Sequence, residues 1–140
     1  MSEAGAYTDI LKVGGAVLGI ENGDGEPVRL NQEILDRVGE EVSAAKNDIL
    51  VVSSFAIARG MMEAGVSERP DDSEMPELQR LAAIGQPLVQ RAWAEAIPDK
   101  TTAELLLTRE ELSDDFRLRE ILRTVKVFFS HGDVPVTNEN

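Results

Sequence analysis

A chain of 140 residues, 42% apolar and 29% charged, has the size and composition of one folded domain with its own core. Twenty-six acidic against fourteen basic side chains leave a formal charge of −12, which repels phosphate backbones and sets nucleic-acid binding aside. No cysteine is present for a disulfide or a thiolate metal site, and neither a signal peptide nor an apolar run of about 20 residues is found, so the chain reads as cytoplasmic with no membrane partner.

In chain order, strand and helix patterns alternate. Asp9–Val13 is short and apolar-rich and runs into a Gly14-Gly15 turn, as a strand does. Residues 19–27, with Gly, Asp and Pro, read as a loop. Asn31 is placed to cap a helix carrying Ile34, Leu35, Val38, Val42 and Ala45 at helical spacing. Ile49–Val52 is a continuous apolar run, the pattern of a strand buried on both faces of a parallel sheet. A short helix over Ala56–Met62 ends at Gly65, and a polar loop with Pro70 follows.

Leu78, Leu81, Gly85, Leu88, Val89 and Trp93 mark one face of a long helix, in which Pro76 suits the first turn and Pro87 predicts a kink. Glu104–Leu107 is the third main strand. Thr108 and Glu111 have the spacing of a capping box that opens one helix reaching Phe129. Val134–Val136 is a last strand, where Pro135 predicts an edge or a strand start. The sum is a single α/β domain over residues 1–140: an open, mostly parallel sheet with helices on both faces.

Ligands of such sheets sit beyond the carboxyl ends of the strands. Three segments fall there: Gly14-Gly15-Ala16, Ser53-Ser54-Phe55 and Asn138-Glu139-Asn140. Lys12 before two glycines reads either as a structural strand end or as a charge set beside a backbone that a phosphate can approach. Ser53 and Ser54 read either as simple helix caps or as donors to a carboxylate or phosphate at a helix N-terminus. Asn138 and Asn140 suit a polar ligand and equally an ordinary turn. His131 sits in a surface turn with no catalytic part, Trp93 and Met61-Met62 read as core, and the Asp71-Asp72 and Asp114-Asp115 pairs suggest no metal cage.

Read in order, these segments resemble the N-terminal half of a glutamate 5-kinase, a member of the amino acid kinase family. The resemblance rests on Lys12-Val13-Gly14, Val51–Ser54 with Ala56–Ala58 and Gly60, Gln79–Gln86, Leu106–Leu112, and Val134–Val136 with Asn138-Glu139-Asn140, in register over residues 8–140. It implies ATP-dependent phosphorylation of the side-chain carboxylate of L-glutamate in proline biosynthesis, with Mg2+ accompanying ATP. It also implies roles: Lys12 as the catalytic charge, and Gly14, Ser54, Phe55, Ala56, Asn138 and Asn140 as substrate-binding residues.

Departures from the family pattern qualify the expectation. Gly15 and Ala16 stand where two hydroxyl residues are usual, Phe55 replaces a glycine whose conformation it is not expected to take and its ring is expected in ligand space, and Glu120–Arg123 replaces an Asn-Ala-Arg-Asn stretch. The resemblance covers the substrate-side half and not the ATP-binding half, which implies weak or absent catalysis by this polypeptide, with a homo-oligomer or a second half as partner. The alternatives are a non-catalytic module retained for binding or subunit pairing, and an amino acid kinase with another carboxylate or phosphate substrate.

Overall fold

The computed structural model describes residues 8–20 and 29–138. Strand β1 (Thr8–Val13) leads through Gly14 into a single helical turn, α1 (Gly15–Leu18). The stretch read as a loop begins instead with β2 (Gly19–Ile20), which pairs antiparallel with β3 (Arg29–Leu30); residues 21–27 lie outside the described ones. Helix α2 (Gln32–Ala44) starts where expected, with the Asn31 side chain accepting from the Ile34 amide at 3.2 Å. Next come β4 (Asp48–Ser53), α3 (Ala56–Ala64) and α4 (Met75–Ala96). The chain continues through β5 (Thr102–Leu105), α5 (Arg109–Ser113), α6 (Asp115–Ser130) and β6 (Val134–Asn138).

The main sheet is parallel throughout, in the order β1-β4-β6-β5. Right-handed crossovers explain where the helices lie. The steps β1 to β4 and β4 to β5 run in one direction across the sheet, so α2, α3 and α4 share one face. The return step from β5 to β6 runs the other way and carries α6 to the opposite face, where it packs on β6. Side chains alternate accordingly: Val13, Val51, Val134 and Val136 meet Leu35, Val42, Val89 and Trp93 in the main core. Cover on the second face is unequal. Pro135 and Thr137 are buried, whereas Ile10 on β1 is 68% exposed.

Two expectations are corrected. β5 lies two residues earlier than Glu104–Leu107. The helix after Thr108 is two helices, because Asp114 takes an extended conformation and its side chain caps α6 by accepting from the Arg117 amide at 2.8 Å. Pro135 is the second residue of β6, an interior strand, so of the two expected places it takes the strand start. The Val134 amide donates to Thr101, toward β5, so the alternating backbone turns the Pro135 nitrogen toward β4, where pairing begins only at Val136. Helix α4 contains Pro87 and continues to Ala96, with buried Leu81, Gly85, Val89 and Trp93 on both sides of it.

Close helix crossings fix the frame around the site. A Cβ on Gly85 would stand 1.7 Å from the Ala56 carbonyl oxygen, and one on Gly60 would stand 1.9 Å from that of Leu81, so α3 and α4 touch backbone to backbone. The far end of α2 is closed by Lys100, whose Nζ donates to the carbonyls of Val42 and Ala45, both at 3.0 Å. Those carbonyls are at the negative end of the helix dipole. Lys100→Met, which keeps the stem and removes the charge, is expected to cost about 1–2 kcal/mol in urea unfolding.

Candidate functional site

A cleft of about 720 Å³ opens at the carboxyl ends of the strands. Strand β4 ends at Ser53, and the Ser54 amide donates to the Val13 carbonyl at 3.1 Å, which ties the start of the next turn to β1. Phe55 then takes φ 105°, ψ −1°, and α3 begins at Ala56. No side chain caps α3. The amides of a helix's first turn have no partner in their own helix, and Ala56, Ile57 and Ala58 line the cleft beside Ser54.

Both serines fail as helix caps, and the reason is visible. Trp93, fully buried on α4, donates its indole N–H to Ser53 Oγ at 2.8 Å, and Ser53 Oγ donates to the Ser54 carbonyl at 3.1 Å. Ser53 is thus taken up by a buried relay that fixes the Ser54–Phe55 turn from behind. Ser54 stays half-buried at the cleft, with its Oγ 3.5 Å from where a Gly15 Cβ would be.

Phe55 departs from expectation twice. It does take the left-handed backbone that favours glycine, the one non-glycine residue to do so among the described residues. Its side chain, 5% exposed, belongs to the core cluster with Leu18, Leu35, Val89 and Trp93 rather than filling the ligand space.

The opposite wall comes from β5 and β6. The Asn138 carboxamide is engaged with one backbone unit: its Oδ1 accepts from the Leu107 amide at 2.8 Å and its Nδ2 donates to the Leu107 carbonyl at 3.1 Å. That clamp holds Leu106, Leu107 and Thr108 along the cleft. Thr108 in turn forms the expected capping box with Glu111. Of the residues singled out in sequence, Gly15, Ser54, Phe55, Ala56 and Asn138 come together here. Lys12 and Gly14 do not line the cleft. Lys12 shares the exposed face of β1 with Ile10, on the side away from the main core. Asn140 lies outside the described residues.

Sequence reasoning missed Gln86 and Arg69, which complete the lining with Ser67, Met61 and Ala82. Gln86 could have been found: it follows Ala82 by one turn and adjoins Gly85, the closest crossing point with α3. No spacing marks Arg69. It lies between α3 and α4, just before a turn where the Ser73 amide donates to Asp71 Oδ1 at 2.9 Å and holds that carboxyl below the usual carboxylate range. Among the described residues no group of three or more His, Asp or Glu side chains is arranged for a metal, and no helix is long and apolar enough to cross a membrane.

The amino acid kinase family matches over residues 8–140. The chain is 38% identical over 136 residues to a glutamate 5-kinase of Thermus thermophilus, covering 94% of this chain and 35% of that protein. It is 35% identical over 136 residues to the glutamate 5-kinase of Caldanaerobacter subterraneus subsp. tengcongensis and 35% identical over 133 residues to that of Citrifermentans bemidjiense, with the same coverage. The chain therefore spans about a third of the length of the curated relatives it matches. Among solved structures, an isopentenyl phosphate kinase superposes with a TM-score of 0.58 at 18% identity, covering 96% of this chain and 58% of that one, a likeness of fold.

Proposed function

As the chain belongs to the amino acid kinase family, we propose that it supplies the carboxylate-binding side of a glutamate 5-kinase, in which ATP phosphorylates the side-chain carboxylate of L-glutamate. The observation that carries this reading is the cleft at the uncapped first turn of α3, with Ser54 beside it. Backbone amides at a helix N-terminus and a hydroxyl are donors suited to a carboxylate. Glutamate 5-kinases identical at 35–38% of positions over 94% of this chain support the choice of substrate.

In this reaction a carboxylate oxygen of glutamate attacks the γ-phosphorus, the bond from that phosphorus to the β-phosphate oxygen breaks, and ADP leaves with the electron pair. No covalent enzyme intermediate is needed, so the chain's contribution is alignment and the offset of charge. Ser54 and the amides of Ala56 and Ile57 orient the acceptor; the family resemblance adds Asn140, which lies outside the described residues, as a further substrate-binding residue. Asn138 contributes through the clamp that shapes the wall and through its remaining N–H.

Lys12 offsets phosphate charge from the end of β1. Neither Lys12 nor Gly14 lines the cleft itself, but the Gly14 turn is open, since an added Cβ there would meet nothing within 4 Å, which leaves a phosphate room to approach. ATP, accompanied by Mg2+, supplies the phosphoryl group. A soluble, ATP-consuming reaction agrees with the cytoplasmic location read from the sequence.

A second reading, a module that pairs with another subunit or a second half, is favoured by Ile10 on β1 and Phe116 at the start of α6, 68% and 67% exposed. Thermal unfolding of the chain with L-glutamate separates the two. On the first reading a ligand at 100 times its Kd adds about 2.7 kcal/mol of stability. An unchanged unfolding temperature at high L-glutamate concentration would overturn the first reading and leave the pairing module or a kinase of another carboxylate or phosphate substrate.

A further inference from the structure

We propose that Arg69 is the specificity residue of this cleft and that it binds the α-carboxylate of the amino acid substrate. The inference rests on the glutamate-binding reading and extends it to a residue not yet given a role. Among the described residues that line the cleft, Arg69 alone carries a charge; the rest are apolar or neutral. The whole chain carries −12, so an anionic ligand enters against a repulsive field and needs a local cation. A dicarboxylic amino acid brings two carboxylates, and the first turn of α3 with Ser54 provides for one of them.

The present partner of Arg69 shows what it is suited to hold. Its Nη1 donates to Asp72 Oδ1 at 3.0 Å and to the Pro70 carbonyl at 3.3 Å. The side chains of Arg69 and Asp72 are 54% and 85% exposed, so the pair contributes little to stability and opens at little cost. A ligand carboxylate can therefore take the place of the Asp72 carboxylate on the same guanidinium. The base of the side chain is well fixed for that exchange. Pro70 restricts the backbone, and the next turn is pinned by hydrogen bonds from the Ser73 amide to Asp71 and from the Asp71 amide to Glu74 Oε2 at 3.0 Å.

The chemistry decides which carboxylate goes where. The accepting carboxylate must keep an oxygen free to attack phosphorus, whereas a guanidinium engages both oxygens at once. The α-carboxylate has no such demand and belongs with Arg69. The site then selects against ligands that have a side-chain carboxylate but lack the α-carboxylate, such as 4-aminobutyrate.

Calorimetric titration of the purified chain with L-glutamate tests this in four forms: unchanged, Arg69→Gln, Arg69→Lys and Asp72→Asn. Loss of a charge-assisted pair is expected to weaken binding by about 10- to 100-fold in Arg69→Gln, with partial recovery in Arg69→Lys and an unchanged unfolding temperature in both. Asp72→Asn, which removes the competing carboxylate, is expected to bind L-glutamate more tightly than the unchanged chain. 4-Aminobutyrate, in place of L-glutamate, should bind the unchanged chain no better than it binds Arg69→Gln. Affinity for L-glutamate within about twofold of the unchanged chain in a folded Arg69→Gln would overturn the assignment. So would weaker binding in Asp72→Asn. Failure of the unchanged chain to bind L-glutamate at all would instead overturn the functional reading beneath it.

Discussion

Gly85→Ala is expected to destabilise the chain by about 3 kcal/mol or more, at the upper end of what overpacking costs. The added Cβ would stand 1.7 Å from the Ala56 carbonyl oxygen, 2.6 Å from the Gly60 nitrogen and 2.8 Å from the Ala56 carbonyl carbon. All three are backbone atoms, so no side chain can rotate away and α3 must move off α4. Alanine also favours the helix over glycine by about 1 kcal/mol, which the clash outweighs. Gly14→Ala serves as the control, because nothing lies within 4 Å of its added Cβ and its φ of −77° suits alanine. Urea unfolding should leave that variant within about 0.5 kcal/mol of the parent. Gly60→Ala meets the Leu81 carbonyl oxygen at 1.9 Å in the same crossing. Once one alanine has forced the helices apart the second costs less, so the double variant should fall short of the sum. A Gly85→Ala chain as stable as Gly14→Ala would mean that α3 and α4 do not meet as closely as described.

This crossing shows where the sequence was informative and where it was not. Helix α4 was legible from the spacing of Leu78, Leu81, Val89 and Trp93, because a buried helical face repeats with a fixed period. Helix α2 was legible from its cap at Asn31, and β4 from its β-branched run. The contact of Gly60 with Leu81 or of Gly85 with Ala56 was not, because a glycine in a helical pattern says only that space is short, not what fills it. The break at Asp114 was missed for a similar reason. The apolar stripe on either side reads as one helix, and the choice is made by an aspartate whose side chain serves the backbone better as a cap. β6 was read as a short strand but not as an interior one, since strand order depends on crossovers that leave no local trace.

The site divides in the same way. That Ser54, Phe55 and Asn138 would gather at one cleft was legible because strand ends in a parallel sheet open on a common edge; Ala56 came only with the family resemblance. The functions of individual atoms could not be read. Ser53 faces Trp93, forty residues away, and Asn138 faces Leu107, thirty-one residues away. Arg69 reaches the cleft from the segment just before a turn whose shape depends on Asp71 and Glu74 hydrogen bonds that no periodicity encodes.

Phe55 yields the sharpest remaining prediction, because two large effects oppose each other at one residue. Its φ of 105° is a conformation that costs a non-glycine residue about 1–3 kcal/mol. Its ring is in the main core, where truncation of phenylalanine to alanine costs about 3–5 kcal/mol. Phe55→Ala loses the ring and keeps the strained Cβ, so it should show the whole packing loss. Phe55→Gly loses the ring and is released from the strain, so its net cost should be about 2 kcal/mol. Glycine should therefore be the less damaging replacement by about 1–2 kcal/mol, the reverse of the usual order for a residue in regular structure, where alanine is favoured. Denaturant unfolding of the two variants decides it. If Phe55→Ala is the more stable, the turn relaxes to an ordinary backbone once the ring is gone. The ring would then be what holds Ser54 and the first turn of α3 in place at the cleft. If Phe55→Gly is the more stable, the turn itself is fixed by the bond from the Ser54 amide to Val13 and by the Trp93–Ser53 relay behind it. Phenylalanine is then accommodated at a position shaped for glycine, and the cleft keeps its form because the ring is turned into the core.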